Sequence, residues 1–425
     1  MRTIVVALVW LVAASASAQV SLVVDAPPGG HGVPFATYVE RVIAESPTFA
    51  IAEASVRAAD AAIDLARVYP SPRISGGIMS VDVSGQRAPN ATEIVLSIPI
   101  DYAGQVGHRV DQRVAAHQVS VAEAEGTRRT LRQMAASRYV DALEASLARL
   151  RAVEAADADA ALRDAIEGRA AVGEATALQV ALVRLAAATS VARRTEAEGR
   201  ERTTRLALSE LLGEVDASIA AIGDLATPPR TFDADRLVEE ALTHRPEVLA
   251  AQLIETTARR SRELASASRW PEVALNIGWL HSFASLYTLF NQPEYDALVI
   301  GASVEIPLRL AWDGDLRAAD AQIDHAEAGV RAAELAVSLE VRTALAAYET
   351  ARERLVAREG ALAEATRLRR AAALTLASGS GTVVELLAAQ SAAREAEAAY
   401  LSAAADHTRT LAALLARVGR DIDVF

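Results

Sequence analysis

The sequence predicts a mainly α-helical fold with a small β part, built twice from one unit. Three observations carry that prediction. First, landmarks recur about two hundred residues apart. Pro47 and Pro246 are separated by 199 residues, as are Pro72 and Pro271. The offset is 206 for Gly173 and Gly379, Thr176 and Thr382, and Gly213 and Gly419. It is 208 for Ile98-Pro99-Ile100 and Ile306-Pro307-Leu308, and 209 for Tyr139 and Tyr348. Landmarks kept in one order with a slow drift of offset mark an internal duplication. Second, each copy holds short runs in which apolar residues alternate with small or polar ones. Third, each copy holds a proline-free stretch long enough for a helix of about 90 Å at 1.5 Å per residue.

The N-terminus predicts export. Arg2 supplies a positive start, Ile4–Val12 an apolar core and Ala16-Ser17-Ala18 a small-residue cleavage site, so residues 1–18 read as a signal peptide and Gln19 as the mature start. The nine-residue core is too short to span a bilayer, which takes about 20 apolar residues. Arg, Glu and Asp interrupt every later apolar stretch. The chain has no cysteine, which excludes disulfides, zinc thiolates and a lipidated cysteine at the mature N-terminus. A net charge of −12 argues against nucleic acid as a partner.

Residues 19–212 form the first repeat, 213–232 a linker carrying Pro228-Pro229, 233–419 the second repeat, and 420–425 a short tail. Strands are expected at about 72–84 and 92–101 in the first copy, and at 271–281 and 296–308 in the second. In the first copy Ile94, Leu96, Ile98 and Ile100 alternate with Glu93, Val95, Ser97 and Pro99. In the second, Val273, Leu275, Ile277 and Trp279 alternate with Glu272, Ala274, Asn276 and Gly278, and Leu298 to Leu308 continues the pattern. Period two is the signature of a strand with one apolar face. Gly76-Gly77 disturbs the parity of the first run, which suggests a bulge there.

The strand lengths suit a tilted membrane strand of about 9–11 residues. A soluble sandwich with its apolar faces packed together is the competing reading. Aromatic placement favours the membrane: half of the chain's aromatic residues fall in Tyr69–Tyr102 and Trp270–Trp312. Tyr69, Tyr102, Trp270 and Trp312 sit at strand ends, where an interfacial girdle needs them. Four strands cannot close a barrel, and an open edge cannot sit in hydrocarbon. Several copies must then share one barrel.

Long helical hairpins are expected at about 104–212 and 314–418. Leu316, Ile323, Val330 and Val337 repeat every seven residues, a coiled-coil seam. The charged remainder reads as solvated face. The first hairpin turns at Val172-Gly173-Glu174 and the second at the counterpart segment Ser378-Gly379-Ser380-Gly381, with Thr176 and Thr382 placed to cap the returning helices.

No enzyme site emerges. The seven histidines are scattered, there is no phosphate-binding glycine loop, and no nucleophile elbow is present. No cofactor is expected.

At this point the chain resembles the TolC family of outer-membrane efflux proteins over about Phe35 to Gly419. Ser46-Pro47-Thr48-Phe49 and Arg245-Pro246-Glu247-Val248 match the family's S/R-Pro-x-[VF] entry. Ser97-Ile98-Pro99-Ile100 and Glu305-Ile306-Pro307-Leu308 match its strand-to-helix exits. Gly379, Thr382, Glu385, Leu386, Leu387, Ala389 and Gln390 match its tip run. The resemblance implies a homotrimer whose four strands per chain build a 12-stranded barrel in outer-membrane lipid, standing on a hollow periplasmic α-helical barrel. It implies a passive duct in a Gram-negative outer membrane. The tips, Val172, Gly173, Glu174, Thr176, Gln179, Gly379, Ser380, Gly381, Thr382 and Glu385, would gate the duct and meet a periplasmic adaptor. The adaptor would link it to an inner-membrane pump, of the RND type in preference to an ABC exporter.

Two departures bear on the gate. Leu376 and Gly381 stand where the best-known members carry Tyr and Arg, and Gln179 stands at an Asp. Glu385 keeps an acid while Ala388 replaces a second one. A different set of gate contacts is therefore expected. Glu385 from three chains would ring the entrance and attract cations, or it simply stabilises a helix N-terminus. A periplasmic coiled-coil adaptor or scaffold without a barrel is the alternative from another class. Adaptors usually carry one helical hairpin, whereas this chain carries two. The motifs and the missing lipidation cysteine lean toward the heavy-metal branch, yet three Met, seven His and no Cys form no metal site. Drugs, other small molecules and polypeptides stay open as cargo.

Overall fold

A computed structural model describes residues 22–24, 31–82, 87–215, 219–283, 294–305 and 312–422. The signal peptide, Val83-Ser84, Ile306-Pro307-Leu308 and the end of the 420–425 tail lie outside those residues. The chain divides into two units, residues 53–124 with 246–333, and the remainder.

The first of these units holds the sheet. Its strands are β3 (Arg73–Asp82), β4 (Arg87–Ile100), β7 (Glu272–Ser282) and β8 (Tyr295–Glu305), in that spatial order and antiparallel throughout. Gly76 and Gly77 stay in register with Ile94 and Glu93. The register shifts instead between Met79 and Ser80, which face Ala91 and Pro89 and leave Asn90 as the extra residue. A bulge is where a strand tolerates proline, so β4 runs back through Pro89 to Arg87 rather than beginning near 92. Pro99 lies past the last partner of β3, Arg73 opposite Ser97.

The two copies feed this sheet in the same way. Helix α1 (Phe35–Glu45) breaks at Ser46, and α2 (Pro47–Arg67) restarts at a proline. In the second copy α5 (Ala234–His244) breaks at Arg245, and α6 (Pro246–Ala267) restarts at a proline. Proline suits a first helical position because that N–H has no partner within the helix. After β4, the Asp101 carboxylate accepts the N–H groups of Gln105 (2.7 Å) and Val106 (2.9 Å), starting α3 (Gln105–Ala171). The first turns of α3 then satisfy orphan carbonyls. Arg109 donates to Ala66 (3.0 Å) and Val68 (2.8 Å) at the end of α2, and Gln105 donates to Ala267 (3.3 Å) at the end of α6.

The other unit holds residues 125–171 of α3 with its return helix α4 (Ala177–Leu212), and residues 334–377 of α7 (Trp312–Ala377) with its return helix α8 (Val383–Val418). Gly213 and Gly419 end α4 and α8 in the left-handed conformation, at φ 75° and 97°. On α7, in both units, the heptad seam is filled out by buried Ala319 and Ala326, then moves through Val337 to Val341, Leu345 and Tyr348.

The linker is structured. Its β5 (Ile219–Ala221) pairs parallel to β2 (His31–Val33), and its β6 (Gly223–Asp224) pairs with β1 (Val23–Val24). The paired tyrosines hold it in place. The buried Tyr139 hydroxyl shares its proton between the carbonyls of Val33 (2.7 Å) and Ile222 (2.6 Å), and accepts the Ile222 N–H at 3.1 Å. Burial pushes this phenol up to about 12, with the Ile222 hydrogen bond opposing the shift. Tyr348 repeats the arrangement on Arg230, accepting its N–H at 2.7 Å and donating to its carbonyl at 2.9 Å. Around Tyr139 pack Tyr38, Val42, Leu143, Leu208, Ile219 and Ala405.

Replacing Tyr139 by Phe removes the hydroxyl and leaves buried backbone groups unpaired, which costs about 1–3 kcal/mol. Thermal melting of the detergent-solubilised protein should show a lower midpoint for Tyr139→Phe. An unchanged midpoint contradicts the docking role.

Candidate functional site

Two surfaces are candidate functional sites: the exposed face of the sheet and the turns of the hairpins. The ladder register places Ile74 and Ile78 of β3 on one face with Ile94, Leu96, Ile98 and Ile100 of β4. Val273, Leu275, Ile277 and Trp279 of β7 and Leu298, Ile300 and Val304 of β8 complete that face. Nothing among the described residues covers these side chains, with Ile74 77%, Leu298 71% and Ile300 67% exposed. A contiguous apolar face of this kind marks a lipid or protein contact. The opposite face carries Ser75, Ser97, Asn276 and Ser303, several glycines and Glu93. Gly278 belongs to that face by necessity, because a Cβ would lie 3.0 Å from the Ile94 carbonyl and from Val95 Cγ2.

The expected girdle residues Tyr69, Tyr102 and Trp270 gather at one end of the sheet. Asp101 N–H donates to the Tyr69 hydroxyl at 2.7 Å, Tyr102 donates to the Pro271 carbonyl at 2.7 Å, and the Tyr102 and Trp270 rings meet edge-on at 6.5 Å. All three remain about half exposed. The Trp312 side chain lies outside the described atoms. Sequence reasoning passed over a second aromatic cluster at the other end of the sheet. There Trp279 stacks on His281 at 5.7 Å, Phe283 meets His281 at 4.6 Å, and His281 lies between Glu294 (3.2 Å) and Asp296 (3.0 Å). The aromatics at the far ends of β7 and β8 are the sequence signal for it.

The tips are built alike. Gly173 and Gly379 both have φ +79°, the left-handed conformation that lets the chain turn out of α3 and α7. Thr176 caps α4 by accepting the Gln179 N–H at 3.3 Å, while the Gln179 side chain accepts the Thr176 N–H at 2.9 Å. Thr382 and Glu385 make the same box on α8 at 3.2 and 2.8 Å. A neutral Gln does in one copy what Glu385 does in the other, so capping accounts for the Glu385 geometry. Gly381 has another reason to be glycine: a Cβ would lie 2.7 Å from Thr375 Oγ1 and 3.0 Å from the Leu376 nitrogen. Leu376 packs against a buried cluster of Ile166, Val183 and Val383 that joins the two hairpins at their tips. Val172, Gly173, Glu174, Gly379 and Ser380 stay exposed.

The structure adds an ionic contact that sequence reasoning missed. Asp159 of α3 is 1% exposed and receives both Arg394 nitrogens of α8, at 2.6 and 2.7 Å, together with the Ser190 hydroxyl of α4. A second hub joins Arg409 of α8 to Asp141 (2.7 Å) and Glu144 (3.2 Å) of α3. Burial raises the Glu144 carboxyl above its ordinary range, with Arg200 and Arg409 opposing. Among the described residues there is no cluster fit to hold a metal ion, and no helix is long and apolar enough to cross a membrane.

A sheet with one bare apolar face, bounded by aromatic residues and joined to paired helical hairpins, defines a membrane-inserted β protein of the outer-membrane channel class. The chain belongs to the outer membrane efflux protein family, which it matches over residues 38–214 and 237–420. No curated protein sequence matches it. Among solved structures it is similar to CusC, with 16% identity, coverage of 95% of this chain and 97% of that one, and a TM-score of 0.75. It is also similar to VceC of Vibrio cholerae, with 18% identity, 92% and 97% coverage, and a TM-score of 0.73. The open-state MtrE channel of Neisseria gonorrhoeae shares 17% identity, with 91% and 89% coverage and a TM-score of 0.72. The protein is thus an outer-membrane efflux channel component of a Gram-negative bacterium, with a large periplasmic helical part.

A charge on the lipid face of a membrane strand costs about 2–4 kcal/mol at mid-bilayer, whereas the other face tolerates it. Ile277→Lys should therefore deplete the protein from the outer-membrane fraction, and Asn276→Lys, one residue away, should not. Equal behaviour of the two variants contradicts the assignment of faces. Removing one partner of a buried ion pair costs about 3–5 kcal/mol. Asp159→Ala should lower the melting midpoint more than the double change Asp159→Leu with Arg394→Leu, and the reverse order refutes a buried pair.

Proposed function

We propose that three copies of this chain close one 12-stranded barrel and act as the passive outlet of a tripartite efflux system. The observation that carries this reading is the four-stranded sheet, whose strands β3 and β8 each have a partner on one side only among the described residues. Hydrocarbon does not tolerate such edges, and the smallest membrane barrels have eight strands. Pairing β3 of one copy with β8 of the next removes every edge and keeps the apolar face outward. The serine-, glycine- and asparagine-bearing face then lines the pore.

The same assembly gives a use to the large apolar side chains left exposed on the helices, including Leu335, Leu339 and Leu374 of α7 and Leu178 and Leu185 of α4. The turns Val172–Glu174 and Ser378–Gly381 are the proposed docking points for a periplasmic adaptor. An inner-membrane pump supplies the energy, with an RND-type pump preferred to an ABC exporter. Leu376 and Gly381 stand where the best-known gates carry Tyr and Arg, so the Leu376 cluster and the Thr382–Glu385 cap are proposed to set the resting tip. The chain itself does no catalysis.

Two measurements on the full-length protein test the proposal together. Extraction from outer membranes should yield an oligomer of three chains that dissociates on heating in detergent. Reconstitution in planar bilayers should give discrete conductance steps. A monomer released into the soluble periplasm without detergent overturns the proposal.

A further inference from the structure

His407 of α8 is fully buried, and neither ring nitrogen has a hydrogen-bonding partner among the described residues. Its ring packs on Tyr348 of α7 with centroids 5.3 Å apart, and Tyr348 meets Phe232 of the linker edge-on at 5.5 Å. The Tyr348 hydroxyl also makes both hydrogen bonds to the Arg230 backbone, and the Arg352 guanidinium lies 3.5 Å from the same Arg230 carbonyl. A titratable ring therefore backs the contact between linker and hairpin.

The groups around that ring offer no counter-charge. Tyr348 packs on it from α7, and the Arg352 charge acts on it from the same helix. On α8 its neighbours are Asp406 and Arg409. Asp406 is engaged by Arg409 and by Arg354 (3.5 Å), and Arg409 also binds Asp141 and Glu144 of α3. Burial first, and the positive field of Arg352 second, hold His407 below the ordinary histidine range. The first copy differs. At the repeat offset of 206, the place of His407 is taken by Glu201, whose carboxylate is paired with Arg149 (2.9 Å) and Arg205 (3.0 Å).

We propose that His407 is an acid-sensitive latch: neutral, it packs with Tyr348 and keeps Arg230–Phe232 on the α7/α8 hairpin, and protonated it drives that segment off. Charging the ring in place leaves two N–H donors without acceptors and sets a second cation near Arg352. Release of the linker moves Phe232 and lets water reach the ring. The direction follows from linkage. The closed form binds fewer protons than the open form, whose histidine titrates near 6.5, so closure is at full strength above that pH and weakens as the pH falls below it.

The reporter is the Arg230 amide, which donates to Tyr348. Hydrogen exchange of the segment spanning residues 226–232 is measured on the full-length protein in detergent at about pH 7.5 and 5.5, beside His407→Gln, which stays neutral at both. Comparing the two proteins at one pH cancels the intrinsic pH dependence of exchange. The unsubstituted protein should lose up to roughly tenfold protection relative to His407→Gln on acidification, because pH 5.5 lies one unit below the ordinary histidine value. An unchanged ratio overturns the latch. Should His407→Gln fail to assemble, exchange of the His407 ring C2 hydrogen in the unsubstituted protein decides the matter. Slow exchange with a midpoint below the ordinary range supports the latch, and an ordinary midpoint overturns it.

Discussion

A β-sheet immersed in hydrocarbon can leave no strand edge unpaired, because no water is there to satisfy the backbone. The sheet formed by the described residues has four strands, with one bare apolar face and two open sides. Most other features of the protein answer to that constraint. The apolar face must look outward, so the alternation along β4, β7 and β8 is kept in strict register across the ladder. The other face must stay thin where a neighbouring strand crowds it, as at Gly278, where a Cβ would lie 3.0 Å from the Ile94 carbonyl and from Val95 Cγ2. Where α3 leaves β4, the cap at Asp101 starts the helix, and the donations from Gln105 and Arg109 tie that start to the ends of α6 and α2.

Duplication meets the constraint economically, since one chain supplies two nearly equivalent hairpins of strand and helix. The equivalence is chemical as well as geometric. Tyr139 and Tyr348 each hold a segment of linker by its backbone, and Thr176 with Gln179 repeats Thr382 with Glu385. Where the copies part company, charge is involved. Asp159, Ser190 and Arg394 tie α8 to the first hairpin, and at the repeat offset Arg394 falls on Ala188, which cannot pair. His407 replaces a paired glutamate. Such asymmetries allow the two hairpins to respond differently.

The match to outer-membrane efflux proteins fits this division of labour. Structures sharing only 16 to 18% of residues reproduce the fold over more than nine-tenths of the chain. What they share with this chain is the fold, which many sequences satisfy.

Local periodicity made much of this legible. Period two at Ile94–Ile100, a proline-free run after Asp101, and Gly379 ahead of Thr382 each report on a few neighbouring residues, and they specified strands, helices and turns without the fold. The duplication even made the pairing of Tyr139 with Tyr348 visible, though not what they bind. Short-range signals could not place the bulge, which depends on where Pro89 can be accommodated opposite Ser80, nor reveal that β4 reaches back to Arg87. They gave no hint that Asp159 meets Arg394 across 235 residues, or that Arg409 gathers acids from α3. A charged residue on a helix looks the same in sequence whether its side chain meets water or another helix. The sequence by itself determined the elements, their order and their repetition, because these follow from neighbours along the chain. Which polar groups are buried, and which partners they find there, was decided only by tertiary packing, because burial depends on residues hundreds of positions away.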